Sequence, residues 1–140
     1  MEGAGEMNQF PLRIVTPDGL LYDGNAEEVI VRTTTGDLGI LTGHINCVAP
    51  LGMGKATILM DGKKRYGACI GGMLSMMDGK ATLVATTFEW ADQIDLKRAV
   101  RSEERARAVL SDNKSTDTDI RLAQARLKRA LIRKSVADGK

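Results

Sequence analysis

KATILMDGKKRYGACIGGMLSMMDGKATLVA, residues 55–85, decides the fold. Lys55–Met60 and Lys63–Ile70 flank Asp61-Gly62, and Met73–Met77 and Lys80–Ala85 flank Asp78-Gly79. Each Asp-Gly supplies the positive φ angles of a two-residue type I′ turn, so the stretch reads as two successive β-hairpins. Gly71-Gly72 lies between them, in an apolar run with no helix start after it. It marks a bulge or a close approach of two backbones and not a phosphate-binding loop. Upstream, Phe10, Leu12 and Ile14 alternate with Pro11, Arg13 and Val15 before the turn residues Pro17-Asp18-Gly19. Glu28–Thr34 is short and β-branched, and it runs into Gly36-Asp37-Leu38-Gly39-Ile40-Leu41, where two glycines bracket an expected loop. Short strands, frequent turns and no helical period over residues 10–91 predict an antiparallel sandwich or flattened barrel and exclude a βαβ nucleotide fold.

The pattern changes near Trp90. Every aromatic residue (Phe10, Tyr22, Tyr66, Phe88, Trp90) lies up to that point, and Arg- and Ala-rich sequence of helical period follows it. Asp92 is the expected N-cap, with Asp95 three residues later, for a helix running to about Leu110. Capping and turn residues at Ser111–Asp117 then precede a second helix of about 18 residues to near Val136, before Gly139. The short connection predicts an antiparallel helical hairpin over residues 92–140, with residues 1–9 as a flexible leader. At 100° per residue, Leu96, Ala99, Val100, Ala106 and Leu110 share one face of the first helix. Ile120, Ala123, Leu127, Ala130 and Leu131 share one face of the second. The first stripe also holds Glu103 and Arg107, and alanine buries little area, so docking energy at about 25 cal/mol per Å2 is small. The same period gathers Arg98, Arg101 and Arg105 on the first helix and Arg126, Arg129 and Arg133 on the second. If these rows converge, their guanidinium forks suit phosphate or carboxylate oxygens, and Asp95 offers an acceptor for a base amino group.

Charge follows the same division. Met1–Ala91 has 7 Lys and Arg against 10 Asp and Glu, whereas Asp92–Lys140 has 13 against 8. The C-terminal part should therefore prefer an acidic surface or a polyanion. No apolar run reaches the roughly 20 residues that span a bilayer, and Met1–Gln9 does not read as a signal peptide. Cys47 and Cys69 sit among apolar neighbours without CxxC spacing, as reduced structural residues. His44, the one histidine, lacks a metal-ligand motif or a nucleophile partner. No spacing identifies a catalytic pair or a metal site, so the chain is not expected to be an enzyme on its own.

Three separated segments carry a resemblance. Val15-Thr16-Pro17-Asp18-Gly19, Gly36-Asp37-Leu38-Gly39-Ile40-Leu41-Thr42-Gly43-His44 and Gly71-Gly72-Met73-Leu74 occur in an order that is similar to the epsilon subunits of bacterial F-type ATP synthases. The chain resembles that family from about Phe10 to Ala137. It departs at Thr42 and Asn46, where proline is usual. The resemblance implies a mainly β sandwich of about ten antiparallel strands followed by an α-helical hairpin. It also implies a non-catalytic rotor subunit of a proton-translocating ATP synthase, peripheral on the cytoplasmic face of the bacterial cell membrane. Implied partners are the gamma subunit, the c-ring and the alpha and beta subunits, with the membrane reached only through the complex and no nucleic acid bound. Asp37, Leu38, Gly39, Ile40, Leu41 and His44 would form the stalk or ring contact. The hairpin would inhibit ATP hydrolysis when extended. Ile94-Asp95-Leu96-Lys97-Arg98-Ala99 is similar to the family's ATP-binding motif. Carried over by position, Glu89, Ile94, Asp95 and Ala99 would surround adenine, and Arg98, Arg105, Arg129 and Arg133 would reach phosphate. ATP would then be a regulatory ligand, with no cofactor required. The alternative from another class is a β-sandwich adaptor whose basic hairpin binds nucleic acid. The hairpin has no aromatic side chain to stack on a base, which counts against it.

Overall fold

A computed structural model describes residues 8–138. Most of the expected leader, like Gly139, lies outside the described residues. Two units are resolved, one ending at Trp90 and one beginning at Ala91.

The first unit contains β1 (Phe10–Thr16), β2 (Gly19–Ala26), β3 (Glu28–Thr33), β4 (Gly36–Leu41), β5 (Cys47–Pro50), β6 (Met53–Met60), β7 (Lys63–Met77) and β8 (Lys80–Trp90). These eight strands pair in the order β2-β1-β8-β7-β6-β3-β4, with β5 also on β7. The expected count was about ten. Eight form because β7 (15 residues) and β8 (11 residues) are long and continuous, each pairing with different partners along its length. The first half of β7 pairs with β6, and its second half pairs with β5. The first half of β8 pairs with β1. One pairing departs from the antiparallel expectation: Leu12–Val15 of β1 runs parallel to Ala81–Val84 of β8.

Both Asp-Gly turns form as read, with φ of 52° at Asp61 and Asp78 and positive φ at Gly62 and Gly79. The β7–β8 register is continuous on either side of the double glycine, from Gly67↔Trp90 to Met77↔Lys80. Gly71-Gly72 is thus a close approach and not a bulge. Gly72 has φ of 114°, and a Cβ there would overlap the carbonyl oxygen of Val84. Leu12, Ile14, Val29, Val31, Ile40, Ile58, Leu74, Met76 and Leu83 fill the space between the layers with no exposed surface. Each such side chain contributes about 1.5–3 kcal/mol relative to leaving it in water. Cys69 joins this core, and burial pushes its thiol up to about 12.

The second unit is a helical hairpin, with a 3-10 turn at Ala91–Gln93, α1 at Leu96–Ser111 and α2 at Asp117–Asp138. Asp92 is not the N-cap, since it lies inside the 3-10 turn. Asp95 takes that place, its carboxylate accepting the Arg98 N–H at 3.0 Å. The α2 start is closed reciprocally: Thr116 N–H donates to Asp119 Oδ2, and Asp119 N–H donates to Thr116 Oγ1. Such an exchange satisfies two of the donors that a helix start leaves open. Ala99, Ala106, Ala123 and Ala130 are buried, while Leu96 and Leu131 of the expected stripes remain exposed. The seam is poorer in apolar area than the sequence suggested.

Candidate functional site

The motif residues open α1 as the spacing required. Ile94 precedes the cap, Asp95 makes it, and Ala99 is buried in the seam. Asp95 Oδ1 accepts the Arg98 amide, and the carboxylate keeps further lone pairs for a ligand amino group. Glu89 lies in β8, paired with Ala68, and so belongs to the sandwich unit. The remaining motif and arginine positions belong to the hairpin. A cleft of about 460 Å3 near the connection between the helices has Arg105, Arg126, Val109, Leu122, Asp112 and Asp119 among its lining residues. Arg105 thus shares a cleft with Arg126, a residue the motif did not include. Arg98, Arg129 and Arg133 do not line this cleft.

The seam also contains a charge the sequence reading half anticipated. Glu103 Oε2 accepts from Arg107 Nε at 2.9 Å, the expected pair one turn apart, while Glu103 Oε1 accepts from Lys134 Nζ of α2 at 2.7 Å. The carboxylate side chain is only 14% exposed. The bond from Lys134, followed by that from Arg107, holds the Glu103 carboxyl below its ordinary value of 4.5. A lowered folded pKa means stability that is present above the ordinary value and lost as pH falls through the lowered one. Hairpin protection against hydrogen exchange should therefore be steady near neutrality and decline below about pH 4.5. Glu103→Gln should remove its share of that decline, and identical acid profiles for parent and variant would contradict the assignment.

In the sandwich, the expected contact loop Asp37–His44 is mostly a strand. Asp37 to Leu41 lie in β4, where Arg32 and Asp37 are paired and joined at 3.2 Å. This corrects the loop reading, and Ile40 is core. Its side chain has no exposed surface, and Leu38 packs partly on the core. Leu41 and Ile45 are exposed instead, Ile45 at 77%. His44 Nδ1 lies 2.9 Å from the Ile45 carbonyl oxygen and 3.8 Å from Cys47 Sγ. Asn46, at one of the two positions that depart from proline, accepts the Asp78 N–H through Oδ1 at 2.8 Å and so fixes the second turn.

Strand register reveals a surface that sequence reasoning missed. Pro50 pairs with Met73, Met73 with Val84, Val84 with Val15, and Val15 with Leu20. One apolar row therefore crosses β5, β7, β8, β1 and β2 on the outer side of the layer, opposite the buried Leu74, Leu83 and Ile14. Val84 is 47% exposed, and Met73 and Leu20 are also exposed. An outer face of an antiparallel sheet is ordinarily polar, so a continuous apolar row there is a candidate contact surface. Its sequence signal was apolar residues on both strand faces, as in Met73-Leu74 and Leu83-Val84.

The beta-sandwich domain of the ATP synthase delta/epsilon chain matches residues 9–91, and the long alpha-helix domain of the same chain matches residues 92–138. The chain belongs to the ATP synthase delta/epsilon family. It is 44% identical over 131 residues to the ATP synthase epsilon chain of Bacillus velezensis, covering 94% of this chain and 98% of that one. It is 39% identical over 134 residues to the ATP synthase epsilon chain of Bacillus mycoides, covering 96% and 100%. The fold is similar to a chain in the Euglena gracilis mitochondrial ATP synthase OSCP/F1/c-ring structure, with a TM-score of 0.76 and 22% identity over 86% of this chain and 76% of that chain. Family membership across both units displaces the nucleic-acid adaptor alternative. Among the described residues, no group of three or more His, Cys, Asp or Glu is placed to hold a metal, and no helix is long and apolar enough to cross a membrane.

Proposed function

We propose that this chain is a non-catalytic rotor subunit of a proton-translocating ATP synthase, coupling ion flow to rotation and regulating ATP hydrolysis. The observation that carries the coupling role is the five-strand apolar row, a surface suited to the gamma subunit; Leu41 and Ile45, which are also exposed, would serve as a separate stalk or c-ring contact. Through these partners the subunit would sit peripherally on the cytoplasmic face of the membrane. The hairpin supports the regulatory role. Its seam is built largely on alanines, which bury little apolar area, and its excess of arginine suits acidic segments of the alpha and beta subunits. Deleting residues 92–140 should raise ATP hydrolysis by the assembled complex. Unchanged hydrolysis would remove the inhibitory role.

ATP serves in this reading as the ligand of the closed hairpin. Among the described residues no ion pair is formed by Arg98 or Arg105, so both guanidinium groups are open to phosphate. A ligand that binds only the closed form adds RT ln(1 + [L]/Kd), about 2.7 kcal/mol at 100 times Kd. Calorimetric titration of the full chain with ATP should show binding that weakens by about 10- to 100-fold in Arg98→Ala and Arg105→Ala, the range for a lost charged hydrogen bond. Absence of heat from the parent at millimolar ATP would end the nucleotide role and leave the coupling role standing.

A further inference from the structure

We propose that Glu103, Lys134 and Arg107 form a latch between α1 and α2 that sets how readily the hairpin opens. The inference deepens the proposed function, since it rests on the hairpin being the mobile regulatory element. Ala99, Ala106, Ala123 and Ala130 give the seam little side-chain interlock, so small forces across it decide whether the helices stay together. Glu103 supplies such a force with direction. Its two carboxylate oxygens take different cations, Oε2 from Arg107 on its own helix and Oε1 from Lys134 on the other, so both bonds coexist. Lys134 is itself only 33% exposed. The pairing joins residues 31 positions apart in the chain, and it is lost whenever the helices separate.

The sign follows from what remains when Glu103 is neutral. Arg107 and Lys134 then carry like charges on either side of the seam with no carboxylate between them. Attraction across the helices becomes repulsion. The latch residues are distinct from those assigned to ATP, so nucleotide and latch act on the same opening equilibrium through separate contacts. Salt should weaken the latch, because both cations keep some contact with solvent.

Hydrogen exchange of α1 and α2 in the full chain tests this, comparing the parent with Glu103→Gln, Lys134→Met and the double variant. Each single change should speed exchange across the seam by about two- to fivefold, the range for partly exposed ion pairs. The double variant should be no faster than either single one, as expected of residues that act on each other. Sandwich amides serve as the folding control and should exchange as in the parent. Unchanged exchange in the single variants, or fully additive effects in the double one, would overturn the latch. In the assembled complex, Glu103→Gln should deepen inhibition of hydrolysis. Coupled exchange with unaltered hydrolysis would uphold the latch and count against the inhibitory reading, whereas unaltered exchange sinks the latch whatever hydrolysis does.

Discussion

Gly72→Ala is expected to destabilise the sandwich by about 3 kcal/mol or more. Two costs combine at this position. The φ of 114° lies where residues with a side chain are strained, and the added Cβ would overlap the Val84 carbonyl oxygen and crowd the Ala85 backbone. The obstructing atoms belong to the partner strand of a continuous ladder, so relief requires β7 and β8 to move apart. Gly79→Ala separates the two costs. Gly79 has φ of 77° with nothing within 4 Å of the new Cβ, so it should lose only the conformational part, about 1–2 kcal/mol. Urea unfolding followed by the fluorescence of Trp90, which is buried beside Phe88 at the end of β8, measures both. Equal losses in the two variants would show that backbone crowding at Gly72 contributes nothing.

The same residues show why part of the fold could be read from the sequence and part could not. Asp61-Gly62 and Asp78-Gly79 act within a few residues, and their turn geometry follows from which residues tolerate positive φ. The change from strand to helix near Trp90 is likewise a local change of period. Pairings between distant segments carry no comparable signal. Nothing within Leu12–Val15 specifies a parallel alignment with Ala81–Val84, and the outer apolar row exists only after four such alignments are fixed. The cap was ambiguous because Asp92 and Asp95 both satisfy the rule. A 3-10 turn at Ala91–Gln93 moves the helix start to the second aspartate. At the hairpin, helical period found Glu103 with Arg107 but could not find Lys134, whose position depends on how the helices face each other. It also predicted two arginine rows without the level at which they meet. The cleft unites Arg105 with Arg126, where positional resemblance had named Arg129 and Arg133.

Val84→Asp should abolish stable incorporation into the ATP synthase complex, with affinity falling by at least about 100-fold. Val84 stands third of the five positions in the apolar row, so a stalk subunit lying on that row would have to bury the new carboxylate. Nothing on the row would pair with that charge. The Arg13 guanidinium on the same layer already lies 3.6 Å from Asp23, and Arg13 aligns with Thr82 on β8, two residues from Val84. An unpaired buried charge costs far more than the apolar contact it replaces, which makes this change larger than a truncation to alanine. In the free subunit the same substitution should cost only about 1 kcal/mol, the span of strand propensity, since the side chain is about half exposed and Leu83, its buried neighbour, is untouched. Titration of the variant into complexes depleted of this subunit, together with its urea midpoint, distinguishes a lost interface from a lost fold. Lys63→Asp, beside the exposed Asp61-Gly62 turn, introduces the same group away from the row and should incorporate normally. If Val84→Asp incorporates as well as the parent, the stalk does not lie on this face, and its contact must be sought at Leu41, Ile45 and the end of β4.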